Sequence, residues 1–202
     1  MTPNRSPDDD VNEPAAGFRH IGDRQIHVGH VWTAVVAGFT GPTGEQFERE
    51  IVRSRGAVAT VPVTYAPDDA DRTRPLVTMI AQYRPAIDRA MVEIPAGMRD
   101  VDGEDDAENA RRELAEEVGL AAGALELLTV IHPSVGMTDS TCAIFLATDC
   151  VPVPRRPQGA EEDHAVVLTV PLCDAVADVE AGRISDAKSV TGLLLAQRRL
   201  GR

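Results

Sequence analysis

Aromatic residues make up only 3% of this 202-residue chain, one Trp, two Tyr and four Phe. No basic stripe with interleaved aromatics can be traced along it, which removes the usual footprint of a nucleic-acid binder. Positive charge is in deficit: 20 Lys and Arg face 32 Asp and Glu, and the net charge of −12 opposes binding to a polyanion by simple field attraction. Cysteine is sparse as well. Cys142, Cys150 and Cys173 form no C-x-x-C and leave an odd one over, which reads as reduced thiols and not as a disulfide frame or a zinc site. No signal peptide and no long apolar run is present, so the expectation is a cytoplasmic protein with no membrane partner. A phosphate-binding glycine loop is missing too: Gly41-Pro42-Thr43-Gly44 is followed by no Lys-Ser or Lys-Thr and reads as turn chemistry. Apolar content is sufficient, at 43%, for a real core in one globular domain with an appendage.

The densest information lies between Gly97 and Leu120, G-M-R-D-V-D-G-E-D-D-A-E-N-A-R-R-E-L-A-E-E-V-G-L. Ala107, Ala110, Leu114 and Val118 recur at helical spacing and make the stripe a core would take. At about 100° per residue, Glu116 and Glu117 fall within roughly 60° and 40° of Glu113, so the three carboxylates share a neighbouring face. Like charges at i,i+4 cost an isolated helix about 0.2–0.5 kcal/mol, and Glu113 and Glu117 are such a pair. A hard divalent cation held by oxygen ligands is the simplest offset, and Mg²⁺ suits a few carboxylates together with substrate phosphates. Asp105 followed three residues later by Glu108 predicts an N-cap with its capping-box partner, and Gly119 sits where a left-handed residue would stop the helix. Glu93-Ile94-Pro95-Ala96-Gly97 should be a strand end running into a turn. A lone E-x-x-E-E is best read as a solvated acidic face. Here it follows a succession of strand, glycine loop and acidic helix.

That succession resembles the Nudix box, G-x5-E-x7-R-E-U-x-E-E-x-G-U with U aliphatic. Arg112-Glu113-Leu114, Glu116-Glu117, Gly119 and Leu120 match, and Asp105 to Arg111 form the right seven-residue spacer back to Glu104. One departure is clear: six residues, Met98 to Gly103, separate Gly97 from Glu104, where the pattern has five. The extra residue falls in the loop and leaves the helical register intact. The resemblance implies an α/β fold, a Nudix-type α/β/α sandwich with a mixed sheet and a small N-terminal β appendage. Arg49-Glu50-Ile51-Val52, Gly56-Ala57-Val58-Ala59, Gln82-Tyr83-Arg84 and Glu93 to Gly97 further resemble landmarks of the ADP-ribose pyrophosphatase branch. In that branch a small N-terminal β region helps build a dimer whose partner contributes to the substrate pocket, so a homodimer is implied. The branch often carries a P-G-F/M-S/T-D/E-E loop. Here Val135-Gly136-Met137-Thr138-Asp139-Ser140 lacks the proline and the final acid, which leaves the adenosine-side contacts open, with Met137 and Thr138 the candidates.

Residues 1–17, rich in Pro, Asp and Asn, read as a disordered tail. Residues 18–55 read as the N-terminal β region serving dimerisation, with β-like runs at Gln25 to Gly38 and Gln46 to Val52. Residues 56–202 would be the hydrolase domain. Within it strands are expected at Gly56 to Thr64, Pro75 to Gln82, Ala124 to His132, Thr141 to Ala147 and Val166 to Val170. Val151 to Gln158 reads as a Pro- and Arg-rich connector, and Asp174 to Glu180 and Ala187 to Arg199 as closing helices.

The reaction implied by the resemblance is hydrolysis of a pyrophosphate linking a nucleoside to another group, foremost ADP-ribose to AMP and ribose 5-phosphate, with Mg²⁺ as cofactor and Mn²⁺ able to replace it. Glu113, Glu117 and the carbonyl of Ala96 would be metal ligands, with Glu116 a ligand or its support. Arg112 would orient the glutamates by charge-assisted hydrogen bonds. Arg84 and Arg49 are candidates for the diphosphate and Glu93 for substrate or metal-bound water; ordinary surface charge is an equal reading of Arg49. His132, at a strand end, reads as a hydrogen-bonded structural residue, and Arg155-Arg156 as loop decoration. A metal-bound carboxylate is a poor proton acceptor, so the general base must lie elsewhere. In the branch it is a glutamate on a loop before the last strand. Gly159-Ala160-Glu161-Glu162-Asp163-His164 occupies that place, giving Glu162 with Glu161 as the near alternative. Two other outcomes stay open: hydrolysis of a sugar nucleotide, dinucleotide or damaged nucleoside triphosphate, and a non-catalytic ligand-sensing module. A sensor would be expected to have lost box glutamates or gained a DNA-binding domain, and neither is visible.

Overall fold

A computed structural model of the chain describes residues 17–201, so residues 1–16 of the expected tail lie outside the described residues. The backbone divides into two compact units, one running to Ser54 and taking in Ser134–Asp139, the other comprising Arg55–Pro133 and Ser140 onward.

The first unit is a three-stranded antiparallel sheet of β1 (Arg19–Val28), β2 (Trp32–Thr40) and β3 (Gln46–Ser54), in that order. The single run expected from Gln25 to Gly38 is therefore two strands. They are joined by a tight turn at residues 29–31, where the Gly29 N–H donates to the Trp32 carbonyl. Val28 and Val31 flank that turn, and their strand preference masks it in the sequence. The second turn does fall at Gly41-Pro42-Thr43-Gly44, closed by the Gly41 N–H on the Glu45 carbonyl. Phe39 and Phe47, directly opposite across β2 and β3, stack at 5.4 Å. Ser134–Asp139 joins this unit through the Val52 N–H on the Met137 carbonyl and through Asp139, which accepts from Arg53 and from the Ser54 N–H.

The second unit is built on a mixed sheet. Its strands are β4 (Ala57–Thr64), β5 (Leu76–Arg84), β6 (Arg89–Glu93), β7 (Ala96–Met98), β9 (Ala124–Ile131), β10 (Cys142–Thr148) and β12 (Val166–Pro171), in the order β12-β5-β4-β10-β9. β4 and β10 are parallel; the other pairs are antiparallel. β4 meets β5 only at Val63 and Thr64 and meets β7 at Ala57 to Ala59, so the sheet opens between β4 and β5 and the β6–β7 segment fills the opening. Pro62 falls at that change of partner, where a missing N–H is tolerated. A small pair, β8 (Leu120–Ala121) with β11 (Val151–Pro152), lies apart and adds a short strand to the connector expected from Val151 to Gln158.

Helix α1 (Asp106–Val118) packs Ala110, Leu114 and Val118 on one face of the sheet against Val58, Ile80, Ala143 and Ala147. On the other face α3 (Leu172–Glu180) and α4 (Ala187–Leu200) bury Leu172, Ala175, Leu193 and Ala196 against Val61, Val63, Val77 and Ile144. Helices on both faces explain why β4 and β10 are buried almost end to end and read as continuous apolar runs, not as alternating ones. The unit is the α/β/α sandwich with a mixed sheet. Two boundaries differ from expectation. α3 begins at Leu172, directly after β12, and the stretch expected as a loop from Gly159 to His164 contains a helical turn, α2 (Ala160–Asp163). No helix among the described residues is long and apolar enough to cross a membrane.

Candidate active site

Helix α1 starts where expected because the Asp105 carboxylate accepts the Glu108 N–H at 2.8 Å, and it ends at Gly119, whose φ of 68° turns the chain out of the helix. With its apolar stripe against the sheet, Glu113, Glu116 and Glu117 line a cavity of about 290 Å³ together with Arg84, Ala96 to Met98, Arg112, Gln158 and Glu162. Gly97 is the close-approach point: a Cβ there would overlap the Glu113 carboxylate. Glu117 is held from the same strand, since the Ala96 N–H donates to its Oε2 at 2.8 Å.

Arg112 gathers the carboxylates. Its Nε and Nη2 donate to the two oxygens of Glu104, both at 3.0 Å, and its Nη1 to Glu113 at 2.7 Å and Glu116 at 3.2 Å. The extra loop residue between Gly97 and Glu104 has thus not broken this fork. Nη2 also reaches Asp100 and the side-chain oxygen of Asn109. The Glu104 hydrogen bonds foremost, and the surrounding carboxylate charges, hold the Arg112 guanidinium above its ordinary proton affinity.

Glu113 and Glu117 are poorly compensated by comparison. Burial pushes the Glu113 carboxyl up to about 7 even though Arg112 lies beside it. Burial pushes Glu117 up to about 8, against the pull of the Ala96 N–H and with the charges of Glu162 and Glu113 adding to the rise. No three His, Cys, Asp or Glu side chains among the described residues are gathered as a ready metal cluster. The residues nevertheless fit a divalent cation by donor chemistry and charge: the available ligands are all oxygen, and two buried, adjacent carboxylates lack a full counter-charge.

The two glutamates considered for the base part company. Glu162 faces the carboxylate cavity and takes the Gln158 N–H on its own carboxylate at 2.6 Å, whereas Glu161 lines a separate, more apolar cavity of about 600 Å³ with Tyr83, Pro85 and His164. Arg84 and Glu93 are brought together: Nε and Nη2 of Arg84 donate to both oxygens of Glu93, each at 2.7 Å. Arg49, Met137 and Thr138 belong to the first unit, with the Arg49 guanidinium 4.9 Å over the Phe47 ring. His132 is exposed just beyond β9. All three cysteines are free thiols.

Several residues at the site carried no sequence signal. Asn109 is buried on α1, donating to the Met98 carbonyl while accepting from Arg112. Arg155, read as loop decoration, donates to the Glu117 carbonyl and to the Glu162 carbonyl, and so links the end of α1 to α2. Gln158 donates its side-chain amide to Glu116 at 2.9 Å. Lys188 meets Glu93. Arg155, Gln158 and Lys188 lie beyond the box, where nothing in the local pattern ties them to it, and Asn109 occupies an unspecified position of the box's seven-residue spacer.

Comparisons with known proteins follow the same lines. Residues 57–190 match the NUDIX domain. The chain is 33% identical over 177 residues to the ADP-ribose pyrophosphatase of Bacillus subtilis (strain 168), covering 88% of this chain and 91% of that one. Similarity to the ADP-ribose pyrophosphatase of Mycobacterium tuberculosis (strain ATCC 25618 / H37Rv) is 32% over 177 residues, covering 88% and 82% of the two chains. A solved structure described as an ADP compounds hydrolase superposes with a TM-score of 0.74 at 21% identity over 93% of this chain and 96% of that one, a likeness of fold.

Proposed function

The chain belongs to the Nudix family and is a pyrophosphohydrolase, and from that premise we propose that it cleaves ADP-ribose to AMP and ribose 5-phosphate with Mg²⁺ as its cation. The strongest support is one cavity that unites two buried carboxylates of raised proton affinity, Glu113 and Glu117, with the guanidinium of Arg84. A diphosphate ester needs both kinds of group, because its own charge repels the attacking oxygen and its leaving phosphate gains charge.

Glu113, Glu117 and the Ala96 carbonyl would hold the cation, with Glu116 as a further ligand or support. Nudix hydrolases use divalent metals, and Mg²⁺ bound here would neutralise phosphate oxygens and acidify the attacking water. Arg112 fixes the glutamates so that they need not reorganise during the reaction. Arg84, oriented by Glu93, holds the diphosphate. Glu162 accepts the proton from water as the oxygen bonds to one phosphorus. The bridging P–O bond breaks, and its electron pair leaves with the departing phosphate. We assign the protein a homodimeric state and a cytoplasmic location, the latter supported by three free thiols.

Purified protein incubated with Mg²⁺ and a panel of nucleoside diphosphate compounds should release AMP and ribose 5-phosphate from ADP-ribose faster than it cleaves sugar nucleotides, dinucleotides or triphosphates. Preference for another member of the panel would overturn the substrate. No turnover of any member would leave a ligand-sensing module as the better account.

A further inference from the structure

The sequence contains a single lysine, Lys188, and its position is electrostatically unfavourable on two counts. It is the second residue of α4, where the helix dipole opposes a cation, and its side chain is only 15% exposed, so much of its hydration is lost. The helix does not need it as a cap. Asp186 supplies that, accepting both the Ser189 N–H and the Ser189 hydroxyl. What the ammonium gains is two carboxylates: Nζ donates to Oε2 of Glu93 and lies 3.0 Å from Oδ2 of Asp186.

Glu93, 2% exposed, is the same residue that takes Nε and Nη2 of Arg84. Arg84, Lys188, Glu93 and Asp186 therefore form a set of two cations and two anions, with Arg84 as the member that lines the carboxylate cavity. Among the described residues its Nη1 has no hydrogen-bond partner. Removing the lysine would leave the set with a net negative charge behind a cavity that already holds four glutamates. It would also leave Arg84 as the only cation for Glu93 and Asp186, both of which act on it now along with Glu117. An entering anion would meet stronger repulsion and a guanidinium drawn towards other partners.

We propose that Lys188 is a positioning residue for an anionic diphosphate: by neutralising Glu93 and Asp186 it keeps the unpaired edge of Arg84 available to the cavity. This rests on the assignment of Arg84 to the diphosphate. A purely structural lysine would merely tie α4 to β6, and would affect melting temperature without a selective effect on anion binding.

The test compares Lys188→Met, Lys188→Arg and the double variant Asp186→Asn/Lys188→Met, using a compound the wild type hydrolyses in Mg²⁺ and inorganic pyrophosphate as a competing anion. Lys188→Met should raise KM and the pyrophosphate inhibition constant about tenfold, with kcat within about threefold of wild type. Lys188→Arg and the double variant both restore the charge balance and should return KM to within about threefold. Should Lys188→Met not fold, Lys188→Gln removes the charge while keeping hydrogen-bonding capacity and carries the same expectation. A wild-type KM in the uncharged variant, or a double variant no better than the single, overturns the role of Lys188 alone. A wild type that hydrolyses no member of the panel and binds no pyrophosphate by calorimetry overturns both this role and the functional assignment it rests on.

Discussion

Glu117 is a carboxylate kept in a place that disfavours its charge, and that sets the sign of two predictions. Its ordinary value of 4.5 is raised to about 8 by burial first, with the nearby Glu162 and Glu113 charges contributing. As pH rises from about 4.5 to 8 the unfolded chain loses this proton while the folded chain keeps it, so stability falls across that window and stays reduced above it. In chelator, Glu117→Gln should therefore melt higher than wild type at about pH 9 and with little difference at about pH 4, by calorimetry. Added Mg²⁺ should narrow the gap at high pH by stabilising the wild type alone. The same variant should abolish hydrolysis; near wild-type turnover at saturating Mg²⁺ would remove Glu117 from the site. Proton transfer gives the second test. Glu162→Gln should lower kcat by roughly 10²–10⁴ with KM nearly unchanged, whereas Glu161→Gln, which lines the other cavity, should leave kcat within about threefold. The three box glutamates and Arg112 were legible because their chemistry repeats within one helical turn. Gln158 and Lys188 were not, because each reaches its carboxylate partner from a position whose sequence neighbours have no such role, and Asn109 was not, because it fills an unspecified position of the box spacer.

Elements were legible in proportion to how locally they are determined. Helix α1 carries its own cap, apolar stripe and terminating glycine, and its limits follow from those alone. β4, β5, β10 and β12 are apolar runs bounded by turn residues, and they too emerge within a residue or two of expectation. The β1–β2 turn was hidden by valines on either side. The α2 turn was hidden because Ala160 to Asp163 is too short to show a period, and hydrogen bonds from Arg155 and Gln158 in the preceding connector hold it. Arg155 is the principal tie, reaching the last turn of α1 with Nε and α2 with Nη2. Arg155→Ala should loosen α2 against α1, lowering kcat about tenfold or more while KM and melting temperature change little. Hydrogen exchange would check the cause: amides of residues 160–165 should lose protection in the variant while those of α1 keep it. Unchanged exchange with unchanged kcat would make Arg155 the loop decoration its sequence context suggests.

At the scale of the whole molecule the two units differ in how well they cover their apolar surface. The second has helices on both faces of its sheet and buries most of its large apolar side chains. In the first, every residue of β1 is exposed, and Ile21, Ile26, Val28, Val31 and Trp32 are each at least 45% accessible. β1 is also the edge of its sheet, so a ten-residue strand presents open backbone groups beside apolar side chains. Edge strands in stable monomers are usually short, charged or covered, and a three-stranded sheet with little buried on either face is marginal by itself. Association of two copies through this unit would answer both deficits. Neither is visible in the residues taken singly, because exposure is a property of the assembled sheet. Light scattering of the full chain at micromolar concentration should give twice the 21.6 kDa chain mass. Replacing Ile26 and Val28 together by Lys adds charge along the open strand and should shift the protein toward monomer, with a loss of melting temperature localised to the first unit by hydrogen exchange. A monomeric mass for the unmodified protein would rule out the dimer. A dimer untouched by the double replacement would put its interface elsewhere, on a face that does not include the exposed edge of β1.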